Sequence, residues 1–219
     1  MSDSLPRVVV LLSGSGTNLQ ALIDAEARQA LGANIVAVIS NRPEVKGLER
    51  AQAAGINAHT LDHKGFDSRE AFDAALMQLI DRYQPDLVVL AGFMRILTPA
   101  FTEHYLGKML NIHPSLLPKY QGLHTHQRAL DAGDDCHGVT VHFVTAELDG
   151  GPAAIQAVVP IEPDDTAETL AKRVQVQEHV IYPMAVNWFA QGKLCYRDGK
   201  AWLDNAPLGA EGYRIDSRH

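Results

Sequence analysis

The chain reads as an α/β protein: a Rossmann-like, mostly parallel sheet with helices on both faces and an antiparallel C-terminal addition. Three observations predict this class. Residues 7–12 (RVVVLL) form a continuous apolar run rich in β-branched side chains, the mark of a strand covered on both faces, and Ser13-Gly14-Ser15-Gly16 breaks it sharply. Helix-like and strand-like segments then alternate through the first half, which implies parallel strands joined by crossover helices. From Val139 the pattern changes: residues 139–144 alternate, with Thr140 and His142 on the other face, and residues 154–160 follow after the turn Asp149-Gly150-Gly151-Pro152.

In chain order, residues 17–31 predict a helix that sets Leu19, Leu22 and Ile23 on one face. A strand is expected over 35–40, a helix over 44–54, a short strand over 57–61, a helix over 68–83 and a strand over 87–91. Gly107-Lys108-Met109-Leu110 is a strand-like run that leads into Asn111-Ile112-His113-Pro114. Asp67 with Glu70, and Asp165 with Glu168, have the spacing of a capping box at a helix start. Residues 139–144 and 154–160, flanking the turn Asp149-Gly150-Gly151-Pro152, predict antiparallel strands. A long helix is expected over 166–191, kinked or divided at Pro183, because an interior proline costs about 3 kcal/mol. Leu194-Cys195-Tyr196 and Ala201-Trp202-Leu203 around Asp198-Gly199 suit a hairpin.

No internal repeat or interdomain linker interrupts this pattern, and 219 residues suffice for one well-developed core, so residues 1–219 predict a single domain. With 46% apolar and 21% charged residues the composition is that of an ordinary globular protein. No apolar run approaches the ~20 residues needed to span a bilayer, and Met1 to Arg7 lacks the basic start of a signal peptide. Cys136 and Cys195 form neither a disulfide framework nor a C-x-x-C motif, which fits a cytoplasmic location. A formal charge of −7 opposes attraction to nucleic acid. The expected partners are therefore small molecules, with neither nucleic acid nor membrane, and the chain is expected as a monomer or homodimer.

The loop from Ser13 to Asn18 joins the first strand to the first helix, where free N–H groups and the helix dipole favour an anion such as phosphate. Leu19 stands where a dinucleotide fingerprint needs its third glycine, and Ser40-Asn41 ends the second strand in place of a ribose-binding acid, which disfavours NAD. The Gly-Lys-Ser/Thr ending of a Walker loop is also missing. Alternatively the glycines serve only a tight turn.

Asn111 and His113 lie where a strand of an open parallel sheet runs out, the edge at which such folds bind ligands. An imidazole moves a proton near neutral pH and an amide N–H stabilises an oxyanion, so the pair suits addition to a carbonyl. An acid such as Asp149, if the fold brought it close, would favour imidazolium. The alternative is that Asn111 caps backbone groups and His113 is a satisfied buried histidine. His124, His126, His137 and His142 lack Cys or Glu partners at zinc spacing, so no metal is expected.

Four motifs together carry a resemblance: Leu12-Ser13-Gly14-Ser15-Gly16-Thr17-Asn18-Leu19-Gln20-Ala21, Leu90-Ala91-Gly92-Phe93-Met94-Arg95-Ile96-Leu97, Asn111-Ile112-His113-Pro114-Ser115-Leu116-Leu117-Pro118 and Glu147-Leu148-Asp149-Gly150-Gly151-Pro152. Over roughly Arg7 to Gly212 the chain resembles the glycinamide ribonucleotide formyltransferases, folate-dependent enzymes of purine synthesis. The third motif alone marks the wider formyltransferase group; all four in this order are specific. The resemblance implies formyl transfer from 10-formyltetrahydrofolate to the amine of 5-phosphoribosylglycinamide, with Asn111, His113 and Asp149 matching the catalytic trio.

It further implies that Gly16, Thr17 and Asn18 hold the substrate phosphate, joined by Gln175 and Glu178. Glu178 repels phosphate and so suits ribose hydroxyls or the glycinamide ammonium group. Met94, Arg95, Ile96 and Leu97 would back the folate, with Asn111 contacting it and Arg69 available to its anionic tail; ordinary core packing is the alternative for the apolar three. Residues 7–110 would form the nucleotide-substrate half and 111–205 the catalytic and folate-contacting half. Gln121 departs from the proline often found in relatives, which could loosen its loop. Methionyl-tRNA formyltransferase, a formyltetrahydrofolate hydrolase and a silent phosphate-binding module are the competing readings; the first two usually carry further domains, and the first needs a basic surface.

Overall fold

A computed structural model of the chain describes residues 4–218. Its first half alternates as the sequence predicts: β1 (Arg7–Leu12), α1 (Thr17–Ala27), β2 (Asn34–Ser40), α2 (Lys46–Ala53), β3 (Asn57–Thr60), α3 (Arg69–Asp81), β4 (Leu87–Leu90), α4 (Pro99–His104) and β5 (Met109–His113). The second half holds α5 (Thr125–Asp131), β6 (Cys136–Phe143), β7 (Ala153–Pro160), α6 (Ala167–Ala190), β8 (Leu194–Arg197), β9 (Lys200–Leu203), β10 (Ala206–Pro207) and β11 (Tyr213–Asp216).

Eight strands form one sheet in the order β11-β7-β6-β5-β4-β1-β2-β3, and β10-β9-β8 form a small separate sheet. Strands β1 to β5 pair in parallel, β6 runs against both β5 and β7, and β11 pairs in parallel with β7. Within the large sheet β6 alone is reversed. Strand β1 has β2 on one side and β4 on the other, so the chain order changes direction there, and the crevice beyond the carboxyl ends of β1 and β4 is where this architecture binds ligands.

The unbroken apolar run of β1 follows from burial on both faces. Val8, Val10 and Leu12 pack with Leu19 and Leu22 of α1 and with Leu170, Val174 and Ile181 of α6. Val9 and Leu11 point the other way, against Phe72, Leu76 and Ile80 of α3 and Phe101 of α4. The first of these clusters runs from β1 through β7 to β9, so both halves of the chain share it.

Several local expectations need correction. The first helix stops at Ala27, because Gln29 turns left-handed at φ 59°, although Leu31 beyond it is fully buried. The second begins at Lys46, since Glu44 is left-handed at φ 55°. Ser68, and not Asp67, caps α3 by accepting from the Ala71 N–H at 3.0 Å. Thr166 and Thr169 form the capping box of α6 that Asp165 and Glu168 were expected to make. Asp165 serves instead as a hub for Arg173, Thr169 and the Glu162 N–H.

Pro183 does not divide α6, which continues to Ala190. Tertiary burial offsets the local cost: Ile181, Tyr182, Ala185 and Val186 on either side are all fully buried. The Tyr182 hydroxyl lies 2.7 Å from the Leu90 carbonyl and 3.0 Å from that of Leu110, which fastens this helix across β4 and β5. Burial pushes the Tyr182 phenol well above its ordinary range, so the hydroxyl stays a donor. Helices α4 and α5 and strand β11 had no counterpart among the sequence expectations.

Candidate active site

The fifth strand continues through the polar pair. It ends at His113, so Asn111 and His113 occupy alternate positions of a strand and share one face. Asn111 pairs with Leu90 of β4 on one side and with His142 of β6 on the other. Leu90 in turn pairs with Leu11 of β1. Two interstrand steps therefore separate Asn111 from the first strand, about 10 Å at ordinary spacing.

His113 is 7% exposed, and each of its ring nitrogens faces a polar group. The Tyr120 main-chain carbonyl lies 2.7 Å from Nε2. A carbonyl can only accept, so Nε2 carries the proton. Nδ1 faces Asp149 Oδ2 at 3.7 Å, beyond a direct hydrogen bond but within ion-pair range. The Asp149 side chain is 7% exposed and accepts a 3.0 Å bond from the Gly122 N–H. Asp149 stands left-handed at φ 51°, which turns its carboxylate out of the turn before β7. Gly151 allows that turn to pass close to β6, since a Cβ there would collide with the Phe143 carbonyl.

The glycine loop lies at the switch point, two strands from His113. Gly16 is the N-cap of α1 at φ 73°, and among the described residues no side chain caps the helix, so its first N–H groups remain open to an anion. A Cβ on Gly16 would stand 2.6 Å from the Gly47 Cα, which is why only glycine fits. A depression of about 250 Å³ is lined by residues 13–18, Arg42, Ala91, Gly92 and Met94. Ser13 braces it, accepting from the Met94 N–H at 2.8 Å while its hydroxyl binds Asn41.

Helix α6 brings two distant residues to this loop. Gln175 Nε2 donates to Thr17 Oγ1 at 3.2 Å, and Asn18 Nδ2 donates to Glu178 Oε1 at 3.2 Å. The Asn18 Oδ1 atom is buried without a partner among the described residues. Burial pushes the Glu178 carboxyl above its ordinary range, and the Asn18 amide offsets part of this.

Met94 and Ile96 are 60% and 59% exposed, so core packing does not explain them; Leu97 is partly buried against the α3 face of the core. Arg69 Nη2 donates to the Ile96 carbonyl at 3.0 Å, and the Arg95 guanidinium lies 4.7 Å over the Phe72 ring. The structure thus brings together Gly16, Thr17, Asn18, Gln175 and Glu178 in one group, His113 with Asp149 in a second, and Arg69 with the 94–97 segment in a third.

Sequence reasoning missed Arg42, which adds positive charge to the cleft, and Tyr120, whose role is borne by its backbone. It left His142 without a role. This histidine is buried opposite Asn111 with Nδ1 bonded to the Phe143 carbonyl at 3.0 Å and Nε2 unpartnered among the described residues. Burial lowers its proton affinity. In the loop of Gln121 the main-chain carbonyl of that residue accepts from Arg128 Nη1 at 2.6 Å.

A family model described as formyl transferase matches residues 6–186. The chain belongs to the formyl transferase family. Within that family it is 56% identical to the phosphoribosylglycinamide formyltransferase of Escherichia coli (strain K12), over 95% of this chain and 99% of that protein. A trifunctional purine biosynthetic protein of Bos taurus is 48% identical over 85% of this chain and 18% of its own length. Among solved formyl transferase structures, the Coxiella burnetii phosphoribosylglycinamide formyltransferase in complex with CHES superposes with a TM-score of 0.93, at 52% identity, covering 97% of this chain and 100% of that one.

Proposed function

We propose that the protein is a phosphoribosylglycinamide formyltransferase, which moves a formyl group from 10-formyltetrahydrofolate to the amine of 5-phosphoribosylglycinamide in purine synthesis in the cytoplasm. Its products are formylglycinamide ribonucleotide and tetrahydrofolate. The observation that carries the site assignment is the approach of Asp149 Oδ2 to His113 Nδ1, 3.7 Å, on a strand two steps from the one that leads into the glycine loop.

In this reading the N–H groups of Gly16, Thr17 and Asn18 bind the substrate phosphate. Gln175 supports Thr17, and Glu178 takes the ribose hydroxyls or the glycinamide ammonium group. The distance of about 10 Å across two strands is suited to a phosphorylated ribose whose amine must reach Asn111. Exposed Met94 and Ile96 beside a polar cleft suit a flat heterocycle, with Arg95 and Leu97 completing the ledge and Arg69 at its rim for an anionic tail.

The formyl carbon becomes tetrahedral as the amine adds, and negative charge gathers on its oxygen. The Asn111 amide and the Nδ1–H of protonated His113 donate to that oxygen, each preorganised donor contributing about 3 to 4 kcal/mol to barrier lowering. His113 then passes its Nδ1 proton to the departing folate nitrogen and takes up at Nδ1 the proton that the attacking nitrogen gives up as it becomes the amide, while the Nε2 proton stays committed to the Tyr120 carbonyl. Asp149 favours the charged imidazole and keeps it oriented. Within one formyltransferase domain, residues 7–110 supply the glycine loop and 111–205 the transfer groups; both halves contribute ligand contacts.

The test is to mix purified protein with 10-formyltetrahydrofolate and follow tetrahydrofolate with and without the phosphoribosyl amine. Amine-dependent release is expected. Equal release without the amine would indicate a hydrolase, and no release with it would reduce the protein to a binding module.

A further inference from the structure

Residues 120–122 hold both members of the His113–Asp149 pair. The Tyr120 carbonyl engages His113 Nε2 at 2.7 Å, the Gly122 N–H engages Asp149 Oδ2 at 3.0 Å, and Gln121 Nε2 reaches the Asp149 carbonyl at 3.4 Å. This segment does not hold itself. Tyr120 stands at φ 55°, a left-handed conformation that a bulky L residue keeps only where its surroundings impose it.

The surroundings act through the tyrosine side chain. Its hydroxyl donates to Asp134 Oδ2 at 2.5 Å, and Lys119 Nζ closes on Oδ1 of the same carboxylate at 3.2 Å. The Arg128 guanidinium lies 5.1 Å over the ring, and its Nη1 donates to the carbonyls of Gln121 and Leu123 at 2.6 and 3.2 Å. Both the phenol and the backbone of this turn are therefore anchored outside the site, to groups between Lys119 and Asp134.

We propose that Tyr120 is a positioning residue for formyl transfer: its hydroxyl, bonded to Asp134, holds the main-chain carbonyl that keeps the proton on His113 Nε2. Nδ1 is thereby left as the nitrogen that faces Asp149 and delivers its proton to the reacting atoms. Without the anchor the 120–121 peptide can rotate out of its left-handed setting, and the neutral imidazole no longer has a reason to prefer the Nε2–H form. This proposal rests on the formyl-transfer reading, and its test separates the two.

Tyr120→Phe removes one oxygen and keeps the ring over which Arg128 stacks. Its kcat is expected to fall roughly ten- to a hundredfold, the range of a small misplacement of a catalytic group, with KM for the phosphoribosyl substrate within about twofold of wild type. Nitrogen-15 spectra of labelled histidine, taken without substrate, should show only the Nε2–H tautomer for neutral His113 in the wild type and a mixture in Tyr120→Phe. Asp134→Asn, which keeps an acceptor oxygen, should remain nearer wild type than Asp134→Ala.

A wild-type kcat and a pure Nε2–H tautomer in Tyr120→Phe would overturn the proposal. So would equal kcat losses in both Asp134 variants with the tautomer unchanged, since that pattern means destabilisation alone. A wild-type protein that transfers no formyl group would sink the functional reading, while the tautomer comparison would still report on the anchor.

Discussion

Replacing Asp149 by asparagine is the most direct test of why an acid sits beside the site imidazole. Asparagine preserves the shape and keeps an oxygen for the Gly122 N–H, so the change is chiefly one of charge. At 3.7 Å, unit charges attract by about 1 kcal/mol in water and about 4 kcal/mol at the effective dielectric typical of protein sites. His113 and Asp149 have side chains only 9% and 7% exposed, which favours the upper part of that range. At 1.36 kcal/mol per tenfold, kcat should fall by roughly tenfold to a thousandfold. Steady-state formation of tetrahydrofolate measures this directly. KM for the phosphoribosyl substrate should change little, because the proposed function places its contacts on the glycine loop and α6. A kcat within twofold of wild type would refute the claim that Asp149 stabilises a charged His113 during transfer.

The other expectations test the supporting structure. Because burial raises the Glu178 carboxyl, ionising it costs stability as pH rises through its folded value; Glu178→Gln should therefore raise Tm at neutral pH while increasing KM for the phosphoribosyl substrate. Asp165 accepts bonds from Arg173, Thr169 and the Glu162 N–H, and the Arg173 ion pair holds its carboxyl well below the usual carboxylate range. Asp165→Ala should cost about 1.5–3 kcal/mol in denaturant unfolding near neutral pH. That difference is present above the ordinary carboxylate range and fades only as pH falls through the depressed folded value. Gly16→Ala needs φ 73° and sets its Cβ 2.6 Å from the Gly47 Cα, so the loop must shift. KM for the phosphoribosyl substrate should rise at least ~tenfold in kinetic titration, with a smaller change in kcat.

Strand β1 was legible because burial on both faces demands an unbroken apolar run, and the Asp198-Gly199 hairpin because its turn residues must adopt positive φ; they stand at 53° and 75°. Helix ends were less legible. Ser68 and Thr166 displaced the acids expected to cap α3 and α6, since neighbouring residues competed for the same N–H groups and tertiary contacts chose among them. At Pro183 the local cost predicts a kink or a division, and α6 stays undivided there because its neighbours are buried.

The sequence by itself determined the α/β alternation, the glycine turn at the end of β1 and the polar pair at the end of β5, because each depends on residues close together in the chain. Only the tertiary structure decided that Asp149 meets His113, that Gln175 and Glu178 reach residues 17 and 18, and that Tyr120 offers its carbonyl to the imidazole. These approaches follow from how β6 reverses against β5 and how α6 packs across the sheet. Such long-range packing brings together groups whose spacing along the chain carries no periodic signal.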